Sequence, residues 1–421
     1  MIRRTLPMAL AAVLAVGLMP ALAIADDVAP APDSRVVVAP IDSGINPYHE
    51  QFQVEQPNVT QDVLEEFGIT EDRILRISDN YDADVAAGVY DGVQTGVDYW
   101  FEGTNIIVRS SNFGSRPFLP NSESDTHGTG VSGSVAIANP EAIIYFHEGI
   151  SDANETHAFT HRAVDMVTTS YGAPTAVPLG NIAGSFEGVV ENGKFHFGAN
   201  PNDPSLGPLD STGGPWWALS ISGYQEEGSG GKQILSGSAP DFVANFTQRL
   251  PYCATCNEGT RSVSGTSFAT PTSAGLMSRA VLQLRRDAGH VGGIQTIDGT
   301  AYMVAGEDLR LTNWDLRRAL EEAAAVPTVG EFSPGGGLFD LTAYPNPPVA
   351  GYTLYGWGLL TDDPMRDTVQ AVIDFVETGQ TTKDADTCTF MTAHFEARVL
   401  AWQANVTADG FGASADGHIP C

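Results

Sequence analysis

Basic residues are scarce in this 421-residue sequence. It contains 21 lysine and arginine residues against 51 aspartate and glutamate residues, which gives a formal net charge of −30 at pH 7. Phosphate binding requires clustered positive charge, so we expect no nucleic acid partner. The interpretation we favour for the acidity is a solubilising surface, and the alternative is structural calcium held by some of the carboxylates.

Long apolar runs are also lacking beyond the first 25 residues, since no later stretch approaches the roughly 20 residues that a membrane-spanning helix needs. Within residues 1–25, Arg3 and Arg4 precede an apolar run at 8–22, and the small-x-small sequence Ala23-Ile24-Ala25 follows. This order is typical of a cleaved signal peptide. We therefore expect a secreted protein, extracellular or in the periplasm or cell envelope, without a stable membrane anchor.

Cysteine is rare, with four residues in the chain. Cys253 and Cys256 are close enough to form a local bridge, which leaves Cys388 and Cys421 as the natural second pair. Two disulfides would suit an oxidising compartment. The alternative is a redox or zinc site at the Cys-x-x-Cys sequence, but zinc would need further thiols or histidines from distant segments.

Apolar stretches that resemble strands alternate with stretches of helical spacing. Strands are predicted at 36–41, 142–146, 166–171 and 195–198, and helices at 155–165, 182–190, 267–284, 314–324 and 365–376. Such alternation predicts an α/β fold with a doubly wound, mostly parallel sheet flanked by helices on both faces. The Gly-, Asn- and Asp-rich segment at about 43–125 is predicted to form loops and insertions over one face. Residues 378–421 show no clear pattern and are predicted to form a short irregular tail.

Three short motifs contain the residue types of an activated nucleophile. Asp42 lies in APIDSGINPYHEQF, His127 in DTHGTGVSG and Ser267 in SGTSFATPTSAG. A serine hydroxyl needs an imidazole to take its proton, and the imidazole needs a carboxylate to fix its tautomer. Asp42 follows a predicted buried strand, and the carboxyl end of such a strand is where open α/β sheets place their chemistry. The three motifs together therefore indicate a serine-based catalytic site.

With these motifs in the order Asp, His, Ser, the sequence resembles the subtilisin-like serine proteases, the subtilases, over most of the chain after the leader. The resemblance implies a subtilisin-like peptidase domain at 26–377 and a secreted serine endopeptidase that works through an acyl-enzyme. By this resemblance Asp42 orients His127, His127 acts as general base and then acid, and Ser267 attacks the scissile carbonyl. It further implies polypeptide substrates, a monomer, and no cofactor required for the chemistry.

The resemblance also implies an oxyanion site and a substrate-binding strand. Asn200, after a predicted strand, is the expected side-chain donor to the oxyanion, with Asn202 and Asn181 as alternatives. The Ser267 amide at a helix start would be the second donor. Substrate would bind by strand addition beside residues 170–172, which are Ser170, Tyr171 and Gly172.

Two other functions are weighed against an active subtilase. A sedolisin-type acid peptidase shares an SGTS-like serine motif but uses carboxylates in place of histidine, and the His-Gly-Thr context of His127 argues against it. A catalytically inactive subtilase domain could instead serve as a peptide-binding or surface module. The presence of all three triad residue types argues against that alternative.

The sequence does not identify a set of metal ligands. His157 and His161 are spaced one helical turn apart, but the sequence offers no clear third ligand, so we predict two exposed helix histidines. Asp79, Asp82 and Asp84 are candidates for calcium, yet their spacing differs from that of an EF-hand loop. A solvated acidic turn is the favoured interpretation of that segment.

Overall fold

The structure is a computed structural model. It describes residues 34–172, 179–203, 211–226, 232–235, 240–328, 331–334 and 355–381, together with residues 383, 388, 389, 392, 395 and 396. The predicted signal peptide, Cys421, the side chain of Asn181 and nearly all of the predicted tail lie outside these described residues.

The first strand shows why the chain forms two layers of core. Strand β1 (Val37–Asp42) is buried along its whole length, and successive side chains of a strand point to opposite faces. Val36 and Val38 belong to the core beneath one set of helices, whereas Val37 and Ile41 belong to the core on the other face. The continuous β-branched run is therefore explained by a strand that is buried on both faces of the sheet.

The strands that follow β1 are short. They are β2 (Ile74–Leu75), β3 (Tyr99–Phe101), β4 (Ile106–Ser110), β5 (Ile143–Glu148), β6 (Met166–Thr169), β7 (Phe195–Ala199), β8 (Leu219–Gln225), β9 (Gln233–Leu235), β10 (Phe242–Asn245), β11 (Thr247–Leu250), β12 (Arg261–Ser264), β13 (Gln295–Ile297), β14 (Thr300–Tyr302), β15 (Val304–Ala305), β16 (Arg310–Leu311) and β17 (Ser333–Pro334).

The main sheet has the spatial order β17-β9-β8-β7-β6-β1-β5-β4-β3-β2, and β10 pairs with β8. Among the described strands, the pairs β3–β4 and β8–β9 of this sheet are antiparallel and its other pairs are parallel. Strands β11 to β16 form separate two-stranded ribbons. Because β5 and β6 flank β1 on opposite sides, the chain order reverses at β1. That reversal is where open α/β sheets form a crevice.

Helices cover both faces of the sheet. They are α1 (Gln61–Glu66), α2 (Tyr81–Ala86), α3 (His127–Ala138), α4 (Asp152–Thr160), α5 (Leu179–Phe186), α6 (Thr266–Asp287), α7 (Asn313–Ala323) and α8 (Thr368–Thr378), with a π-helical turn at Glu187–Glu191. Apolar residues of α3 and α6 share one core with the sheet, and those of α1 and α4 share the other. The predicted doubly wound, mostly parallel sheet with helices on both faces is confirmed. Within the part of the chain that the structure describes, no helix combines the length and the apolar character needed to cross a membrane.

The prediction that 43–125 forms loops over one face is wrong for much of that segment. It contains β2, β3 and β4, which extend the main sheet beyond β5, and two short helices. The apolar stretches Tyr99–Phe101 and Ile106–Val108 are buried and carry this extension. Abundant turn residues between short strands concealed the alternation.

Helix α6 is fixed at its far end by a buried ion pair. Arg285 and Asp165 are both fully buried, and Nη2 of the arginine donates to Oδ1 of the aspartate at 2.6 Å. Asp165 Oδ2 also accepts from the backbone N–H of Val37 at 2.8 Å, at the start of β1. Since an unpaired buried charge is costly, this arrangement ties α6 to the amino end of the central strand.

The local disulfide prediction is confirmed, since Cys253 and Cys256 are bonded to each other. The predicted pairing of Cys388 with Cys421 stays a prediction, because Cys421 lies outside the described residues.

Candidate active site

Asp42 and His127 form a hydrogen-bonded pair at the carboxyl end of β1. The Asp42 carboxylate is buried, with 2% of its surface exposed, and its Oδ1 accepts from the Ser43 N–H at 2.7 Å. Nδ1 of His127, the first residue of α3, lies 2.8 Å from Asp42 Oδ2 and 3.0 Å from Oδ1. A carboxylate can only accept, so Nδ1 carries the hydrogen and donates it.

This pairing sets the tautomer and basicity of the imidazole. With its hydrogen on Nδ1, neutral His127 has a lone pair on Nε2 that can take a proton. Burial alone would lower the pKa of His127, but the charge and hydrogen bond of Asp42 outweigh it and raise the pKa above its usual value of 6.5. The pair therefore has the form of a general base held by a carboxylate.

Gly128 allows α3 to begin this close to β1. A Cβ at this position would lie 2.5 Å from the backbone oxygen of Gly44 and 3.0 Å from Cβ of Asp42. Any side chain at residue 128 would push His127 away from the carboxylate. The glycine after the histidine is thus required by the geometry of the pair.

Ser267 lies at the start of α6, where backbone N–H groups lack helical partners. The N-cap residue Gly265 has φ of 152°, a backbone conformation that favours glycine. Thr266 N–H donates to Asn202 and Phe268 N–H donates to the Gly265 carbonyl. In the described part of the chain the Ser267 N–H has no acceptor, and it is therefore available to a ligand.

The Ser267 side chain is bonded to the segment after β6. Its hydroxyl donates to the Ser170 carbonyl at 3.2 Å, and the Ser170 hydroxyl donates to the Ser267 carbonyl at 2.9 Å. His127 lies beside the same helix start, since its ring is 5.4 Å from that of Phe268, centroid to centroid. In the observed rotamer Ser267 Oγ is bonded to Ser170 and not to His127, so a rotation about χ1 is needed to direct it to the imidazole.

A cavity of about 310 Å³ opens next to Ser267. The residues predicted to bind substrate and oxyanion share it, and its lining comprises Ser170, Tyr171, Gly172, Ala199, Asn200, Pro201, Asn202, Asp203, Ser211, Thr266 and Ser267. A larger cavity of about 630 Å³, next to Tyr224 and Arg249, contains none of the three motif residues. The smaller cavity is therefore the candidate substrate site.

The two asparagines of this cavity differ in what their side chains contact. Asn200 is buried and its Nδ2 donates to Ser222 Oγ at 2.9 Å. Asn202 is exposed, and its Oδ1 accepts from both the N–H (2.9 Å) and the hydroxyl (3.1 Å) of Thr266. That contact fixes the amide orientation. The Asn202 NH₂ group consequently faces away from Thr266 and has no acceptor among the described residues.

Tyr171 is held by a residue that sequence reasoning missed. Its hydroxyl donates to Glu155 Oε1 at 2.5 Å, from helix α4. Burial raises the pKa of Glu155 to about 7, with Tyr171 acting in the opposite direction. A buried glutamate in a helical segment gives no distinctive sequence signal, since its partner is 16 residues away.

The acidic segment considered for calcium is arranged differently from a ligand set. Asp84 is buried and accepts from the Tyr48 hydroxyl at 2.9 Å and the Ser78 N–H at 2.8 Å. Asp79 and Asp82 are exposed. Structural calcium therefore stays a prediction without an assigned site.

No family model matches the chain, and no curated protein matches it. Solved structures similar to it include the protease domain of PatA, with 13% identity, a TM-score of 0.48 and coverage of 83% of this chain and 98% of that one. A lanthipeptide protease has 14% identity, a TM-score of 0.45 and coverage of 81% and 87%. A cold-adapted subtilisin-like serine proteinase has 17% identity, a TM-score of 0.37 and coverage of 61% and 78%.

Proposed function

We propose that this protein is a serine endopeptidase that hydrolyses peptide bonds through an acyl-enzyme at Ser267. The observation that carries the proposal is the buried Asp42–His127 pair, bonded at 2.8 Å, beside the helix start that bears Ser267. A carboxylate, an imidazole and a serine in this relation are the parts of an activated nucleophile.

In the proposed reaction, Ser267 turns its hydroxyl to His127 and Oγ bonds to the scissile carbonyl carbon. The hydroxyl proton passes to His127 Nε2, while Asp42 stabilises the imidazolium. His127 then gives this proton to the leaving amine as the C–N bond breaks, which leaves the acyl group on Ser267. Water, deprotonated by His127, attacks the acyl carbon and releases the serine.

The negative oxygen formed in each step needs hydrogen-bond donors. The N–H of Ser267 has no acceptor among the described residues, which supports its role as one donor. For the second, the geometry favours Asn202 over Asn200, because the Asn202 amide has no acceptor in the described chain whereas Asn200 donates to Ser222. Donors fixed before the reaction stabilise the developing charge at little cost of reorganisation.

Substrate is proposed to bind as an extended chain beside Ser170, Tyr171 and Gly172. These residues directly follow β6, so their backbone continues the sheet toward the cavity that contains Ser267. Strand addition gives affinity for extended polypeptides through main-chain hydrogen bonds. We further propose that the protein is exported and acts as a monomer. The leader-like sequence of residues 1–25 and the Cys253–Cys256 bridge support the export.

A fluorophosphonate probe tests the proposed nucleophile. We expect the purified protein to become labelled, with the label on the peptide that contains Ser267. The Ser267→Ala and His127→Ala variants should lose labelling, whereas Ser264→Ala, an exposed serine three residues upstream, should keep it. Labelling that persists in Ser267→Ala, or is absent from the wild type, would contradict the proposal.

One observation favours the inactive, peptide-binding alternative. The Ser267 hydroxyl is bonded to the Ser170 carbonyl, away from the proposed base. An inactive domain would retain saturable binding of extended peptides without labelling or turnover. A sedolisin-type acid peptidase would instead retain activity in His127→Ala and work best at acidic pH.

A further inference from the structure

Helix α4 and strand β5 bring together a cluster of nitrogen and oxygen groups that contains none of the three motif residues. His157 and His161 are half-buried, so the prediction of exposed helix histidines is wrong. The missing third group comes from a distant part of the chain, since Asp98, just before β3, lies beside both. One ligand-type atom from each of the three lies within 4.8 Å of the others.

Two potential metal-ligand atoms of this cluster make no hydrogen bond among the described residues. Tyr145 donates its hydroxyl hydrogen to Asp98 Oδ1 at 2.6 Å, so the 3.0 Å contact between His157 Nε2 and the Tyr145 oxygen requires a hydrogen on Nε2. His157 Nδ1 therefore presents a lone pair. Neither this atom nor Asp98 Oδ2 has a hydrogen-bond partner among the described residues.

A neighbouring histidine supplies independent evidence for an unsatisfied polar site. His147, on β5, is fully buried, and neither of its ring nitrogens has a hydrogen-bond partner in the described structure. Its ring is 5.7 Å from the His157 ring and 4.3 Å from the Tyr145 ring, centroid to centroid. Buried polar atoms are rarely left unpaired without a water, an ion or a function nearby.

We propose that Asp98, His157 and His161 bind one divalent transition-metal ion, with zinc as the best-fitting metal. Imidazole nitrogens and a carboxylate oxygen are ligands that zinc accepts, at about 2.0–2.2 Å. Ligands at those distances lie about 3.4 Å apart around a tetrahedral ion, so the observed cluster closes by small side-chain rotations. In this proposal the ion is bound by Nδ1 of His157, so that the hydrogen bond from Nε2 to Tyr145 serves as the outer contact that orients the metal-bound histidine.

Two features oppose binding and limit its strength. Arg109 donates to Asp98 Oδ1 at 3.1 Å, so its positive charge lies near the proposed ion. His161 Nδ1 accepts from the Ala163 N–H at 3.3 Å, a long contact that is lost when this ring binds a metal.

Such an ion would link α4 to the segment before β3 and would stabilise the fold without taking part in catalysis. The proposal is independent of the proposed protease function. Zinc binding and thermal stability report on it even if Ser267 is never labelled.

Calorimetric titration of the chelator-treated, full-length protein with zinc chloride tests the proposal. We expect one ion per chain and a rise in melting temperature of a few degrees. His157→Gln, His161→Gln and Asp98→Asn should each weaken binding about 100-fold. Asp152→Asn, which removes an exposed carboxylate from the same helix, should change the affinity less than threefold and controls for binding to the acidic surface.

Loss of zinc binding in a variant counts only if its far-ultraviolet circular dichroism matches the wild type, and three separate variants protect against one that fails to fold. No zinc binding to the wild type, or unchanged affinity in folded His157→Gln and His161→Gln, would overturn the proposal. An equal loss in Asp152→Asn would also overturn it, because binding would then follow net charge.

Discussion

The side chain of Asn202 accepts two hydrogen bonds from Thr266, the residue before Ser267, and its own NH₂ group has no acceptor among the described residues. We therefore predict that Asn202→Ala lowers kcat by about 100- to 1000-fold with little change in KM, the range known for oxyanion donors, including that of subtilisin. Peptide hydrolysis kinetics of the purified variants check this.

The matched control for that prediction is Asn200→Ala. Because Asn200 donates to Ser222, its removal should reduce kcat less than tenfold and act mainly on stability. A larger loss of kcat in Asn200→Ala than in Asn202→Ala would restore the assignment that the sequence favours.

The ionisation of His127 predicts the acidic side of the pH profile. A protonated imidazole cannot take the serine proton, and its pKa lies above 6.5 because Asp42 outweighs the effect of burial. We expect kcat/KM to fall as the pH decreases through a midpoint above 6.5. Asp42→Asn should lower that midpoint and reduce kcat severely; a midpoint that stays in place would mean that another group limits the rate.

The sequence was sufficient to propose Asp42, His127 and Ser267, because each stands in a motif whose neighbours have a local structural role. Gly128, for example, is required by the close approach of Gly44. The proposed preference for Asn202 over Asn200 could not come from the sequence, since it depends on whether Thr266 or Ser222 is the neighbour. Asp98 could not be joined to His157 and His161 either, because their contact arises only when β3 and α4 pack together.

Helices α3 and α6 approach each other closely at Gly275. A Cβ there would lie 2.6 Å from Cβ of Ala138 and 3.0 Å from the Val135 carbonyl. We predict that Gly275→Ala destabilises the protein by about 1–3 kcal/mol, since overpacking outweighs the gain in helix propensity. Chemical denaturation measures the change.

The same contact provides a second variant. Ala138→Gly removes one of the two methyl groups that would clash. The Gly275→Ala/Ala138→Gly double variant should therefore be less destabilised than the sum of the two single variants. Strictly additive effects would show that the two helices do not meet as described.

At the level of elements, long periodic segments were predictable and short ones were not. The helix predicted at 267–284 is observed as Thr266–Asp287, since its apolar stripe spans several turns. The strands of 43–125 are two to five residues long, too short for periodicity to separate them from loops. Their place in the sheet depends on the pairing of β4 with β5, of β3 with β4 and of β2 with β3, and the β4–β5 pair joins residues far apart in the sequence.

Stability of the whole molecule should depend on pH through a buried carboxyl group. Glu148, paired in register with Asp42 at the end of β5, has its pKa raised by burial from 4.5 to about 7. Below pH 4.5 it is protonated in both the folded and unfolded states, whereas above 7 the folded state bears an unfavourable buried charge. Its contribution therefore makes the protein less stable as the pH rises from about 4.5 to about 7.

The measurement compares denaturation midpoints at pH 5 and pH 8 for Glu148→Gln and its parent, both carrying Ser267→Ala to prevent self-digestion. We expect the glutamine variant to lose less stability over this interval. An identical loss in both proteins would show that Glu148 does not titrate between these pH values.

The pairing of Cys388 with Cys421 is tested on the whole chain by non-reducing peptide mapping. We expect one peptide pair that joins these two cysteines, in addition to the bridge within Cys253–Cys256. In the chain-entropy description, closing a loop of this length stabilises the protein by about 3–4 kcal/mol. A fragment that joins Cys253 or Cys256 to either tail cysteine would show that the predicted pairing is wrong.

Helix α6 bears Ser267 at one end and the buried Arg285–Asp165 ion pair at the other, and it lies in the larger core between α3 and the sheet. With these contacts at both ends and along its length, α6 should not unfold independently of the rest of the domain. In a hydrogen-exchange experiment, the backbone amides of α6 should therefore exchange slowly, with a free energy of opening equal to that of global unfolding. The proposed protease would lose its nucleophile only by losing its fold, so that its working lifetime would be set by how rarely the entire domain unfolds.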